Sequence, residues 1–122
     1  MMWKVADMDD CLFCKIARKE IPAEVVHEDA ELMAFKDIFP QAPVHLLIIP
    51  KAHCAGLNDL SPDMAPILGR VPYLAAELAK AHGIAESGWR LLSNVGEHGG
   101  QSVFHLHFHL LGGKPLGPKL CQ

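Results

Sequence analysis

The run Val103-Phe-His-Leu-His-Phe-His-Leu-Leu111 constrains this chain more than any other segment. Apolar residues alternate with histidines over its length, the period-two pattern of a half-buried β-strand. Read as a strand, it sends His105, His107 and His109 from one face and Phe104, Leu106, Phe108 and Leu110 from the other. The imidazoles then stand about 6.6 Å apart along the strand, a spacing that spans a phosphate group and its substituents. Two chemistries use such a row. One is an oxyanion site; the other is a metal site, because His-x-His on a strand is a familiar zinc-ligand spacing. Spacing alone leaves both open beside a chance run of histidines.

The preceding loop, Gly96-Glu-His-Gly-Gly-Gln-Ser102, tilts the balance toward an anion. Glycine lets backbone amides approach a ligand closely, and successive amides form anion-binding nests. Neutral imidazoles, amides and a hydroxyl delivered to one point suit a phosphate. An ordinary glycine-rich turn has the same composition, so adjacency to the histidines carries this reading.

The rest of the chain predicts what the triad strand packs into. Residues 11–20 read as a short helix capped by Asp10, with Leu12, Ile16 and Phe13 inward, and stopped at Ile21-Pro22. Glu24–Glu28 and Leu32–Lys36 read as a hairpin turning at Asp29-Ala30-Glu31. Val44–Ile49 is nearly all apolar and reads as a central strand. Ser61-Pro62-Asp63 opens a longer helix that ends at Gly83, with a kink or broken turn expected from Pro66 and Pro72. Trp89–Val95 and Val103–Leu111 are the last two strands. Five strands and two helices without βαβ alternation predict an α+β domain on an antiparallel sheet, one domain over 1–122 with residues 1–10 as a flexible leader.

Charge narrows the partners. With 11 basic and 14 acidic residues the formal charge is −3, so no cationic stripe suits nucleic acid or an anionic membrane. No apolar run reaches the roughly 18 residues of a membrane span, and the acidic start lacks the apolar stretch of a signal peptide. A cytoplasmic protein with free or metal-bound thiols is the expectation. Among the cysteines, Cys11-x-x-Cys14 is a half-site with metal-ligand spacing, equally natural for two thiols on one helix face; Cys54 and Cys121 carry no assigned role.

At His105-Leu-His-Phe-His-Leu-Leu111 the chain resembles the histidine-triad (HIT) superfamily, and within it the Hint branch of nucleoside phosphoramidases. The resemblance runs from about Cys11 to Lys119. It is carried by Lys15-Ile16 through Ile21-Pro22, Asp37-Ile38 with Pro40-Gln-Ala-Pro43, and His45 through Pro50-Lys51. Gly99-Gly-Gln-Ser102 and the tail Leu111-Gly-Gly-Lys-Pro-Leu-Gly-Pro118 complete it. It implies a HIT-like fold and a homodimer whose C-terminal tails lie near the partner's active site.

The resemblance implies cleavage of the P–N bond of purine nucleoside 5'-phosphoramidates. His107 is similar to the family's nucleophile, forming a covalent nucleotidyl intermediate that water releases. His109 and His45 match accessory histidines. Gly100, Gln101 and Ser102 match phosphate contacts, with Ser102 also facing the leaving atom. Asn94 and Ile38 match ligand-lining positions, and Asp37 suits the ribose hydroxyls. No cofactor is required, but a structural zinc on Cys11, Cys14, His53 and His105 is implied. Two other functions remain in view: a dinucleoside polyphosphate hydrolase or nucleotidyl transferase with the same histidine, and a non-catalytic nucleotide-binding adaptor.

Overall fold

The computed structural model describes residues 10–118 of the chain. The expected flexible leader lies, apart from the exposed Asp10, outside the described residues. One short helix, α1 (Leu12–Ala17), precedes the hairpin β1 (Val25–Glu28) and β2 (Leu32–Lys36). Strand β3 (Val44–Pro50) follows, then helix α2 (Ala65–Ala81), β4 (Trp89–Leu92) and β5 (Phe108–Gly112). The five strands form one antiparallel sheet in the order β1-β2-β3-β5-β4. This is the expected α+β architecture.

The hairpin turn forms for the expected reason: Asp29 Oδ1 accepts from the N–H groups of Glu31 and Leu32, each at 2.9 Å. β3 is apolar throughout because both of its faces are covered. Leu46 and Ile48 join Leu32, Ala34 and Leu110 under the α2 residues Val71, Leu74 and Leu78. Leu47 and Ile49 join Met33 and Phe35 under Phe13, Cys14 and Ile16 of α1. The sheet is thus clamped between a long helix on one face and a short one on the other, and the site lies on the short-helix face.

Four local expectations give way. Helix α1 is capped by Cys11, whose sulfur accepts from Cys14 N–H at 3.4 Å, not by Asp10. It ends at Ala17 and leaves Leu12 exposed while Phe13 and Ile16 are buried. Ser61 makes no capping bond; its hydroxyl donates to the Asp63 carboxylate, and a 3₁₀ turn over Pro62–Met64 leads into α2. Pro66 falls in the first turn of α2, where no N–H is needed, and the helix runs unbroken through the exposed Pro72.

A fifth difference bears on the site. Only Phe108–Gly112 of the predicted triad strand is a strand, and β4 stops at Leu92 short of Val95. The ladder with β3 begins at Ile48↔Phe108, and that with β4 at Leu92↔His109. Residues 103–107 therefore have no strand partner. Their main chain is anchored to distant segments by Leu106 N–H donating to Cys54 O at 2.6 Å and by the Ser93 hydroxyl donating to His107 O at 2.7 Å. Phe104, expected on an apolar back face, is 57% exposed.

Candidate active site and metal centre

Although the triad is not one strand, two of its members, His107 and His109, share one wall. His109 in β5 pairs with Leu47 and Leu92, which sets it on the short-helix face of the sheet. His107 stacks edge-on against it at 5.0 Å between ring centroids. A cleft of about 640 Å³ opens here. Asp37, Ile38, His45 and Asn94 line it together with Gly100, Ser102, His107 and His109. Eight of the sequence-predicted ligand and catalytic residues thus converge on one cleft. The same cleft is also lined by the apolar Phe13, Ile16, Ile21, Pro22, Ala23 and Phe35, and sequence reasoning assigned none of these to the site.

Backbone groups fix the tautomer of each cleft histidine. The Gln41 N–H can only donate, and it points at His45 Nδ1 at 3.0 Å, so the His45 proton sits on Nε2. His45 Nε2–H donates to His109 Nδ1 at 2.9 Å, with Asp37 Oδ2 at 3.4 Å as a longer alternative. The proton of His109 therefore resides on Nε2. His107 is set independently: its Nδ1–H donates to its neighbour's carbonyl, His105 O, at 2.7 Å, leaving Nε2 as the ring's one lone pair. All three rings are held neutral near pH 7 because burial disfavours the imidazolium. Burial lowers His45 and His107, and pushes His109 down to about 4 with the neighbouring His107 and His45 adding to the effect.

The glycine loop over residues 96–102 is built differently from the expected nest. Gly100 has φ +79°, and a Cβ on Gly99 would meet Val95 O at 2.3 Å, so both positions require glycine. The N–H groups of Gly100 and Gln101, however, close the loop onto Glu97 O and Gly96 O at 3.0 Å each. The Gln101 side chain is committed as well: Oε1 accepts from Gly96 N–H at 2.9 Å, and Nε2 donates to Ala55 O and Val103 O at 2.7 and 3.1 Å. Gln101 lies outside the cleft lining, whereas Ser102 is part of it.

His105 belongs to a second cluster. Its Nδ1 lies 3.4 Å from the sulfurs of both Cys11 and Cys14, and His53 Nδ1 lies 3.2 Å from Cys14 Sγ. All four donor atoms fall within 4.8 Å of one another. In a tetrahedral zinc site with Zn–S about 2.3 Å and Zn–N about 2.0 Å, the sulfur–nitrogen edge is about 3.5 Å. The second shell also fits. His105 Nε2–H donates to Pro50 O at 2.7 Å, which leaves Nδ1 bare and aimed at the thiols. Burial, reinforced by Cys11, pushes the Cys14 thiol up to about 12, so a cation is what would make a thiolate favourable there.

Asp37, His45 and His109 also lie within 4.8 Å of one another. This second group fails the same test. A neutral imidazole that accepts Gln41 N–H at Nδ1 carries its proton at Nε2, where a metal would have to bind. The group is a chain of hydrogen bonds, not a metal cage.

Comparison with known proteins finds relatives over most of the chain. The model of the HIT domain family matches residues 18–116. The chain is 50% identical over 114 residues to the purine nucleoside phosphoramidase of Escherichia coli, covering 93% of this chain and 96% of that protein. It is 52% identical over 105 residues to protein HitA of Neisseria gonorrhoeae, covering 86% and 97% of the two chains. A HIT family hydrolase from Legionella pneumophila superposes with a TM-score of 0.86 at 54% identity, covering 88% of this chain and 96% of its own.

Proposed function

The chain belongs to the HIT domain family, and from that premise we propose that it hydrolyses the P–N bond of purine nucleoside 5'-phosphoramidates through a covalent nucleotidyl-His107. The observation that carries the reading is the His107 Nδ1–H bond to His105 O, which reserves Nε2 for attack. The 50%-identical relative named as a purine nucleoside phosphoramidase supports the substrate class.

The lone pair of His107 Nε2 attacks the α-phosphorus, a P–N bond to the histidine forms, and the bond to the leaving amine breaks. The amine nitrogen takes a proton as it departs, from the Ser102 hydroxyl or from His109 Nε2–H, which the Gln41–His45 relay aims away from His45. Water then cleaves the phospho-histidine and releases the nucleoside monophosphate. Asp37 accepts from the ribose hydroxyls; its Oδ1 is shared with Phe39 N–H at 2.8 Å, which fixes the carboxylate. Ile38 and the apolar residues lining the cleft take the purine. Asn94, Gly100 and Ser102 surround the phosphate, and Gln101 serves it indirectly by bracing the loop.

The reading includes a structural zinc on Cys11, Cys14, His53 and His105. When bound, the ion supplies cross-linking of α1 to the segment before β5. It also includes a homodimer: Gly69, Pro72 and Tyr73 of α2 present an exposed strip, with Tyr73 80% exposed. Among the described residues no helix is long and apolar enough to cross a membrane.

Turnover of adenosine 5'-phosphoramidate, compared with a diadenosine polyphosphate, tests the substrate class. Rapid quenching followed by mass spectrometry should find a nucleoside monophosphate adduct on the peptide containing His107. Faster cleavage of the polyphosphate would replace the substrate assignment. Turnover unaffected by His107→Ala would refute the mechanism.

A further inference from the structure

The group assigned to attack is held by very little of the sheet. His107 precedes β5, so no strand ladder fixes its main chain. Its carbonyl accepts from the Ser93 hydroxyl at 2.7 Å, and its ring makes the single Nδ1–H bond to His105 O. The second torsion of a histidine side chain is broad, so one hydrogen bond leaves the imidazole free to rock. Two rings close that freedom: His109, 5.0 Å away between centroids, and an aromatic ring from the other end of the chain. Phe13 stands perpendicular to His107, with 5.0 Å between centroids and 88° between planes.

Phe13 is itself wedged, edge-to-face against Phe35 at 5.5 Å and against His105 at 6.1 Å. It is 5% exposed. Its carrier α1 is only six residues long, too short to be stable alone. Besides Ile16, which packs in the sheet core, the N-cap Cys11 and Cys14 tie this helix to the rest of the fold, their sulfurs meeting His105 and His53. The sulfur cluster and the attacking imidazole are therefore linked through one benzyl side chain as well as through the His105 main chain.

We propose that Phe13 is a positioning residue for His107, holding the imidazole in the orientation that keeps Nε2 aimed into the cleft, and that the Cys11–Cys14–His53–His105 cluster holds Phe13 in place. The proposal rests on the assignment of His107 as the attacking group. It differs from the simpler role of a cleft wall, which Phe13 also forms. A wall contributes to ground-state binding; a positioning contact acts on the chemical step.

Phe13→Leu should lower kcat by about 10- to 100-fold with KM changed by less than about threefold, since small misplacements of a reacting group have effects of that size. Phe13→Tyr, which keeps the ring, should retain most of kcat; Phe13→Met replaces the leucine variant if that variant unfolds. Heteronuclear NMR of the His107 ring in the full-length protein should show a single Nδ1–H tautomer in the parent and an averaged one in Phe13→Leu. The Cys11→Ser/Cys14→Ser variant should lose kcat similarly, and adding Phe13→Leu to it should cause less than about threefold further loss, the non-additivity of coupled residues. A raised KM with unchanged kcat and an unchanged ring spectrum would overturn the proposal and leave Phe13 as a wall. The ring spectrum does not depend on which group attacks. Absence of the His107 adduct thus refutes the mechanism, and an unchanged tautomer refutes the positioning.

Discussion

Acidification should weaken this fold through its buried histidines, and His109 gives the cleanest measure. Its pKa lies near 6.5 when unfolded and is pushed down to about 4 in the fold, first by burial and then by His107 and His45. The sign follows from proton uptake. Between those two values the unfolded chain binds a proton that the folded chain refuses, so stability is complete above the unfolded pKa and declines as pH falls toward the folded one. From pH 7 to pH 5 the loss attributable to this one group is about 2 kcal/mol. Carboxylates lose stabilisation in the same window, so total stability is a poor readout. The comparison is between the parent and His109→Gln, which keeps an acceptor for His45 Nε2–H but does not titrate. Urea unfolding of both at pH 7 and pH 5 should show the parent losing about 2 kcal/mol more than the variant. Equal losses would mean that His109 is solvated enough to titrate normally in the fold. The neutral relay deduced from Gln41 and His45 would then be wrong.

Three other perturbations probe separate parts of the site. Gln101→Ala removes a side chain that bonds three backbone groups; it should cost about 1–3 kcal/mol in urea unfolding and open the 96–102 loop to proteolysis. Metal analysis should find one zinc per chain, and its removal by a chelator should lower Tm, with a contribution near 4 kcal/mol when free zinc is about a thousandfold above Kd; Cys14→Ser should abolish the shift. Arg90 donates to Leu116 O at 3.3 Å and Gly117 O at 2.5 Å. Arg90→Ala should therefore speed proteolysis of the C-terminal tail while changing global stability by less than about 0.5 kcal/mol.

The layout of the fold was legible because its signals are local and redundant. The polar turn Asp29-Ala30-Glu31 between two short strand-like runs, a continuous apolar run at Val44–Ile49 and 3.6-residue spacing from Val71 to Ala79 each name their element without tertiary help. The sequence reading overran where a pattern continues beyond its partner. Val103–Leu111 has strand periodicity from end to end, but a strand needs a neighbour, and β3 and β4 supply one only from Phe108 onward. Asp10 has the chemistry of a cap, yet Cys11 takes the position because its sulfur is already held against His105. Competition of that kind between adjacent residues is settled by distant contacts, which no window of sequence contains.

The site divides along the same line. The triad spacing and the family resemblance it carries were enough to nominate the cleft residues and the four sulfur and nitrogen donors, yet the two groups use the same side chain for opposite chemistry. What separates them is where each ring's proton is parked. His105 gives its proton to Pro50 O and so presents a lone pair to the cysteines, while His107 gives its proton to His105 O and presents a lone pair to the cleft. His45 accepts a hydrogen bond from the Gln41 N–H at Nδ1 and so can only donate from Nε2. Three backbone groups, none with a side-chain signature, thus suit neighbouring histidines to the three proposed roles of ligand, nucleophile and relay. A substitution that moves one of those backbone groups without touching any histidine should change a ring's role and leave its position intact.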